Sequence, residues 1–345
     1  MPILLKVDDL QALVSRDNED VLSSVLRAVR MTGAIFYDND AKGPWVAATP
    51  TVAEIAHRVM PGFEYIIPFH IIMVGKSWVW LNEEPEGAVL VTPGEVVMFP
   101  RGDEHTCASH TGMSEENPDL DDFYRKGRSL PIKVRINPAG EGDICNFVCG
   151  YIGCDASPYN PLLDALPRML QTRISEASRT LFVNLIAAAL SESTGHTAGG
   201  ESMLARAAEL MFVEIVRNYA NDMPDDQRSW LSGLRDPHVG RAMHLIHSRP
   251  AENWTIDRLA RSVGLSRSVF ADRFVEHVGV APIAYLTRWR MQIAARRLDE
   301  RNTSVAQAAA DIGYDSEAAF RRAFKRHVGK TPGEWQKRRQ LALAN

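Results

Sequence analysis

Two histidines, His70 and His105, and two cysteines, Cys145 and Cys149, carry side chains in the N-terminal half that can ligate a metal or change redox state. Cys145, Phe147 and Cys149 are spaced by two, so along a strand they share one face. If that face lines a barrel, both thiols approach the two imidazoles. Two His and two Cys make an acceptable tetrahedral set, with zinc or another transition metal as cofactor. Without a metal, the same thiols would serve as a redox switch where an electropositive neighbour lowers their pKa. A third reading is inert lining around a pocket for an organic effector, and the residues leave all three open. All four cysteines, the others being Cys107 and Cys154, fall within one third of the chain. That suits a reduced compartment better than a disulfide scaffold, although small buried apolar packing is equally compatible. Cys107 and His110 are expected at the surface.

A second set of residues lies in the C-terminal part, where a motif recurs at a separation of 50 residues. Phe270, Phe274, His277, Val278, Gly279 and Pro282 stand where the second copy has Phe320, Phe324, His327, Val328, Gly329 and Pro332. Each copy reads as helix, turn, helix. The first helices, Ile256 to Val263 and Val305 to Ile312, are opened by the N-caps Thr255 and Ser304, and Gly264 and Gly313 supply left-handed turns. Ser266 and Ser316 cap the second helices, whose phenylalanines at i and i+4 pin one face inward. The opposite face offers Arg267, Ser268, Ala271, Asp272 and Arg273, and then Glu317, Ala318, Arg321, Arg322 and Lys325. Such a helix suits a major groove. Between the copies, Ile283 to Asp299 has no Gly or Pro and predicts a helix about 25 Å long. Two reading helices on one chain would then reach grooves about 34 Å apart.

The elements that position these residues differ between the two halves. From about Phe63 to Gly150, short apolar runs (Phe69 to Val74, Trp78 to Leu81, Ala88 to Val91, Val96 to Phe99, Ile144 to Val148) are broken by Gly and Pro. That predicts a β-barrel or jelly roll. Helical spacing follows, in Leu162, Leu163, Leu166, Met169 and Leu170, and in Leu181, Phe182, Leu185 and Ile186. The stretch Ser191 to Ser202 has the composition of a flexible loop. A further amphipathic helix carries Leu204, Ala208, Met211, Phe212, Ile215 and Val216, a stripe suited to a dimer interface or to packing on the barrel. The predicted fold is α+β and multidomain. Residues 1–155 form a cupin-like β-barrel sensing domain, 156–235 a helical connector and dimerisation region with its loop at 191–202, and 236–345 an all-α tandem helix-turn-helix domain.

The run Gly313-Tyr314-Asp315-Ser316, with Phe320, Arg322, Phe324-Lys325, Gly329, Thr331-Pro332 and Trp335, resembles the signature of the AraC-type transcription regulators, with Trp335 where Tyr or Phe is commoner. By that resemblance Ser268, Ala271, Asp272, Glu317, Ala318, Arg321 and Arg322 match positions that contact bases, and RNA polymerase is an implied partner. Gly94, Pro100, Gly102 and His105 resemble the second motif of cupin barrels. Its first motif is incomplete, because Ile72 stands where a second histidine is usual beside His70. This puts dioxygenase or isomerase chemistry in doubt. The layout, including Cys149-Gly150, resembles AraC-type regulators with an N-terminal cupin.

Charge points the same way. From Ala251 to Asn345, 17 Lys and Arg stand against 10 Asp and Glu, a surplus of about seven in a chain whose total is −4. A basic module on an acidic partner fits polyanion binding. Hydrophobic content of 45% and charged content of 24% are those of an ordinary globular protein, and no stretch reaches the ~18 apolar residues of a membrane span. Residues 1–20 carry Lys6, Asp8, Asp9 and Arg16 and lack the layout of a secretory signal, so a cytoplasmic location and no membrane partner are expected. The expected function is a sequence-specific, double-stranded-DNA-binding transcription regulator, not an enzyme, acting as a homodimer. Its cupin domain would sense a small effector, metal or oxidant. The alternatives are a DNA-tethered cupin metalloenzyme and an architectural DNA-bending protein.

Overall fold

The computed structural model describes residues 20–28, 31–60, 63, 65–114, 132–154, 158–176, 178–182, 184, 200–224, 227–300 and 303–337. These form two compact units. One comprises 31–155 and 166–223, and the other the described parts of 1–30, 156–165 and 224–345.

The first unit is built from two sheets. The larger takes β1 (Met31–Lys42), β3 (Tyr65–Val74), β6 (Glu95–Met98), β8 (Ile132–Ile136), β9 (Ile144–Cys154) and β10 (Leu170–Arg173) in the order β10-β6-β3-β9-β1-β8. The smaller takes β2 (Val46–Thr49), β4 (Ser77–Leu81), β5 (Val89–Val91) and β7 (His105–Ala108) in the order β2-β7-β4-β5. β1 and β8 run parallel, and the other pairs are antiparallel. Between the sheets lies a core of Ala41, Ile72, Val97, Cys145 and Phe147 from one side and Val79, Leu81, Val91 and Cys107 from the other. Alternation accounts for this: on every strand, residues two apart meet the same core. Helix α2 (Val52–Val59) buries Ile55 and Val59 in a second cluster with Tyr37, Ile66 and Tyr151.

Three parts of the sequence reading change here. Met169 and Leu170 do not continue a helix, because α3 (Pro161–Ala165) is a single short helix. Leu170 instead opens β10, opposite Met98, and Leu170 to Arg173 alternate between buried and exposed, a period of two. Gly200 to Ser202, assigned by composition to a loop, begin helix α4 (Gly200–Asp222), which packs on β1, β9 and β10 through Met211, Phe212, Ile215 and Val216. Residues 191–199 lie outside the described residues, as do Leu185 and Ile186. Cys107, expected at the surface, is 2% exposed. It sits two residues after the buried His105 on β7, and alternation carries both inward, whereas His110 is exposed.

The second unit gathers α1 (Val21–Ala28), α3, α5 (Trp230–Arg235), α6 (Val239–Ser248), α7 (Ile256–Ser262), α8 (Arg267–Val278), α9 (Pro282–Asp299), α10 (Val305–Asp311) and α11 (Glu317–Val328). The expected caps are present: Thr255, Ser266, Ser304 and Ser316 each accept the backbone N–H three residues on. Gly264 and Gly313 turn with φ of 75° and 77°. At Gly313 the requirement is double, since a Cβ would also lie 2.2 Å from the carbonyl oxygen of Ala251. Phe270, Phe274, Phe320 and Phe324 are fully buried. The last two share a core with Met291, Leu298, Ile312 and Trp335. Trp335 fits its place by donating its indole N–H to Asp299 (3.1 Å).

Phe320→Ala should lower the stability of the helical unit by about 3–5 kcal/mol, read as a lower urea midpoint for its unfolding. A loss below about 1 kcal/mol would mean that the ring is not the anchor described.

Candidate DNA interface and buried polar chain

With Phe270 and Phe274 inward on α8, the 100° step per residue sets Ser268, Asp272 and Val275 on the far side. On α11 the same geometry sets Ala318, Arg322 and Lys325 there. Ser268, Asp272, Ala318, Arg322 and Lys325 are exposed, and Ala271 is half-buried. Val275 and Val269 are exposed too, at 43% and 51%. Sequence reasoning passed over both valines. Their signal was the register: Val275 occupies in the first copy the place of Lys325 in the second, and an outward aliphatic group can meet a thymine methyl.

The cations are not equivalent. Arg321 pairs with Glu317 (2.6 Å), and Arg267 lies 3.4 Å from Asp257. Arg322 and Lys325 make no ion pair among the described residues, so their charge is available to a polyanion. Arg273, which the sequence grouped with the DNA-facing residues, turns away: it is half-buried, and its Nε donates to the Asp236 carboxylate (2.8 Å). Asp236 in turn accepts the backbone N–H groups of His238 (3.0 Å) and Val239 (2.9 Å) at the start of α6. Burial pushes the Asp236 carboxyl up, but Arg273 and the two amides outweigh it and hold the pKa below the usual carboxylate range. His277, 3.6 Å from Asp236, is buried against Ser232 (3.1 Å), whereas its counterpart His327 is exposed. Helix α8 is thus fastened to α5 and α6 through Arg273, which has Ala323 in its place in the second copy, and through His277, which the repeat alone does not distinguish from His327.

Inside the sheet unit, His70 Nε2 lies 2.7 Å from His105 Nε2, and His70 Nδ1 lies 2.7 Å from Cys149 Sγ. His105 Nδ1 is 2.8 Å from the Asp103 carbonyl oxygen, which can only accept. This fixes every proton in the chain. His105 Nδ1–H donates to Asp103, His105 Nε2 accepts from His70 Nε2–H, and His70 Nδ1 accepts from the Cys149 thiol. Asn39, buried on β1, adds an N–H to Cys149 Sγ (3.4 Å) and another to the Phe147 carbonyl (3.2 Å). Asn39 went unnoticed in the sequence because β1 itself did. Phe99 stacks on His105, with centroids 3.5 Å apart. Burial lowers both imidazole pKa values, that of His105 to about 3, so both rings are neutral. Burial likewise raises the thiols, Cys145 to about 12 and Cys107 and Cys149 well above the usual range.

The expected sharing of a face holds, since Cys145 and Phe147 lie in the core and Cys149 packs against it. The zinc geometry does not follow. Two ligands at Zn–N distances near 2.0–2.1 Å would stand about 3.3 Å apart in a tetrahedron, and here the facing nitrogens are joined as donor and acceptor at 2.7 Å. Among the described residues, no three His, Cys, Asp or Glu side chains are grouped to hold a metal. The residues as arranged therefore do not fit a zinc set. Protonated, buried thiols are also poor nucleophiles, which removes the low-pKa condition for a fast redox switch. A cavity of about 400 Å³ lies on the outer face of the smaller sheet, against Trp80, Thr106 and Glu104.

Comparison with known proteins agrees with the two units. A cupin family model matches residues 20–221, and a helix-turn-helix domain model matches residues 259–338. A putative AraC-like transcription regulator of Streptomyces antibioticus is 34% identical over 202 residues, 59% of this chain and 67% of that protein. Its counterpart in Streptomyces lividans is 35% identical over 203 residues, 59% of this chain and 66% of that protein, so the match spans about two thirds of these relatives. The HTH-type transcriptional regulator MtrA of Neisseria gonorrhoeae is 27% identical over 321 residues, 92% of this chain and 98% of that protein. No helix among the described residues is long and apolar enough to cross a membrane.

Two outcomes check the geometry. Unfolded imidazoles take up protons near pH 6.5, while the folded His70 and His105 resist until far lower, about 3 for His105. The unfolded state then binds more protons in that window, so stability declines as pH falls from about 6.5 toward 3. His105→Gln should make this decline shallower in pH-dependent melting, and an unchanged slope would contradict neutral burial. Arg273→Ala should destabilise the helical unit by about 1–2 kcal/mol while leaving the ranking of DNA sequences unchanged in competition binding. A changed ranking would place Arg273 at the bases.

Proposed function

Because the chain belongs to the AraC-type transcription regulators that carry an N-terminal cupin domain, we propose that it reads an operator through α8 and α11 and adjusts that reading to a small effector sensed by its sheet unit. The observation that carries this reading is the pair of capped helices, each with two phenylalanines buried on one side and an open polar face on the other. The second copy supplies the stronger reader. Arg322 can address the O6 and N7 acceptors of guanine, while Lys325 suits a phosphate. The first copy offers small or apolar groups, Ser268, Ala271 and Val275, with Asp272 placed to accept from a cytosine amino group.

The sheet unit buries a polar chain, Cys149–His70–His105, beside a core of apolar side chains. Neutral imidazoles and protonated thiols favour an uncharged effector over an ion, because nothing there would repay the desolvation of a charge. The incomplete cupin motif at Ile72 and the donor–acceptor pairing of the two histidines both speak against a DNA-tethered metalloenzyme. The protein acts on RNA polymerase at its promoter, in the cytoplasm, as a homodimer. Support for the dimer is Met203 and Leu210, seven residues apart on α4 and exposed at 48% and 54%.

Two measurements test the reading. Affinity for DNA should fall steeply with salt, and Lys325→Ala should lower the slope of log affinity against log salt by about one. Arg322→Ala should cost about 1–3 kcal/mol and flatten preference at one base pair, measured by titrating single-base variants of the preferred site. Equal weakening on every variant would reduce Arg322 to a phosphate contact.

A further inference from the structure

Helix α9 buries three side chains whose polar atoms need partners, Tyr285, Gln292 and Trp289. The first two have them. Gln292 Nε2 donates to the carbonyl oxygen of Ala28 (3.2 Å) and its Oε1 accepts the backbone N–H of Tyr159 (3.0 Å), while the Tyr285 hydroxyl meets Trp230 Nε1 (2.9 Å) and His247 Nε2 (2.7 Å). Trp289 is 2% exposed, and its indole N–H has no acceptor among the described residues, the one buried side-chain polar atom of the helical unit in that position. A donor hidden from water and left unmade is costly, and buried indoles usually have an acceptor.

Trp289 lines a cavity of about 510 Å³ whose wall belongs to the helical unit alone. Pockets of about 300–1,000 Å³ enclose small organic molecules. From α9 the wall takes Trp289, Ile293, Arg296 and Glu300, which form one stripe of the helix, and Ser24 of α1 joins them. The protons here can be placed. Trp230 Nε1 can only donate to the Tyr285 hydroxyl, so that hydroxyl turns its own proton to His247 Nε2. Burial pushes the His247 pKa down to about 3, so the ring is neutral and carries its proton on Nδ1. Nδ1–H then donates to Ser24 Oγ (2.6 Å), which leaves the Ser24 hydroxyl proton without an acceptor among the described residues. His247 also stacks on the Trp289 ring, with centroids 4.1 Å apart, and so holds the two unmade donors near each other.

The charged groups add a direction. Arg297 is taken up by Glu300 (2.8 Å) and Asp311 (2.7 Å). Arg296 is exposed and makes no ion pair or hydrogen bond among the described residues. It stands two turns after Trp289 on the same face, and helical side chains lean back toward the N-terminus. Arg27, Arg296 and Arg297 line the cavity against Glu300 and Asp311, a surplus of one positive charge. These side chains therefore leave donors over, and one cation.

We propose that this cavity is a binding site for a small organic monocarboxylate, with Trp289 and Ser24 supplying neutral donors, Arg296 the counter-charge and Ile293 an apolar wall for the body of the molecule. A single negative charge matches the surplus of one, whereas a phosphate dianion would exceed it and face Glu300 and Asp311. A duplex phosphodiester is excluded because the indole N–H that it would have to reach is buried. The site lies within the helical unit and does not rest on the effector reading of the sheet unit.

Calorimetric titration of the full chain with 3-phenylpropionate tests this, with 3-phenylpropionamide and inorganic phosphate as comparison probes. The carboxylate should bind saturably, and the uncharged amide and phosphate at least about tenfold more weakly. Arg296→Gln, at an exposed position, should weaken the carboxylate at least about tenfold, and Trp289→Phe, which keeps a ring and loses the N–H, at least about threefold. Magnetic resonance of the chain with nitrogen-labelled tryptophan gives a second reading. Of its seven indole signals, the one missing in Trp289→Phe should move furthest downfield as the carboxylate saturates, because its proton gains an acceptor. Should Trp289→Phe fail to fold, Ser24→Ala replaces it, with a loss of about threefold expected. Absence of saturable carboxylate binding up to about 10 mM, equal binding of the amide or of phosphate, or undiminished binding in the variants would overturn the proposal. Each of these outcomes leaves the operator reading untouched, since that is decided by titration with DNA.

Discussion

Burial of two phenylalanines one helical turn apart is the constraint on which the rest of the molecule depends. On α8 and again on α11, the paired rings occupy the inward face so completely that the outward face has no packing to do. Polar and small residues can then stand there without loss of stability, and on the proposed reading they are what is offered to a base pair. The caps at Ser266 and Ser316 fix where each helix begins, and the left-handed glycines at 279 and 329 fix where it ends. The extent of each exposed face is thus set by residues that are not part of it.

The two copies use this plan unequally. The first reading helix is tied to α5 and α6 through Arg273, Asp236 and His277, so its orientation is shared with the segment that follows the sheet unit. The second is held by the rings of its own core and by Trp335, and it keeps Arg322 and Lys325 open. The two copies therefore differ in what holds them, an ionic and polar tie for the first and an aromatic core for the second. The sheet unit contributes no comparable surplus of charge. It buries a chain of neutral groups, Cys149, His70 and His105, in which every proton has a single consistent position.

The helical unit was legible because its signals are local. Capping residues, turn glycines and i, i+4 aromatics act within a dozen residues, and the repeat displayed them twice. The sheet unit was half legible. β3, β4, β5 and β6 stand out as apolar runs between turns, but β1 carries Gly33, Asp38, Asn39 and Asp40 and is a strand because β9 and β8 flank it, which no local pattern records. Missing β1 meant missing Asn39, and with it the fourth member of the polar chain. The approach of His70, His105 and Cys149 was foreseen from strand alternation, whereas the close pairing of the imidazoles depends on register between β3, β7 and β9. Arg273 and Gln292 were unreadable for the same reason, since Asp236, Ala28 and Tyr159 lie 37, 264 and 133 residues away in the chain.

The most direct measurement is a binding selection with the intact chain on a pool of random duplexes, followed by sequencing of the bound fraction. Two anchored, outward-facing helices on one chain predict two enriched blocks of bases separated by about one turn of the duplex, the sharper block lying under α11. A bound fraction no different in sequence from the starting pool would contradict the account at its foundation.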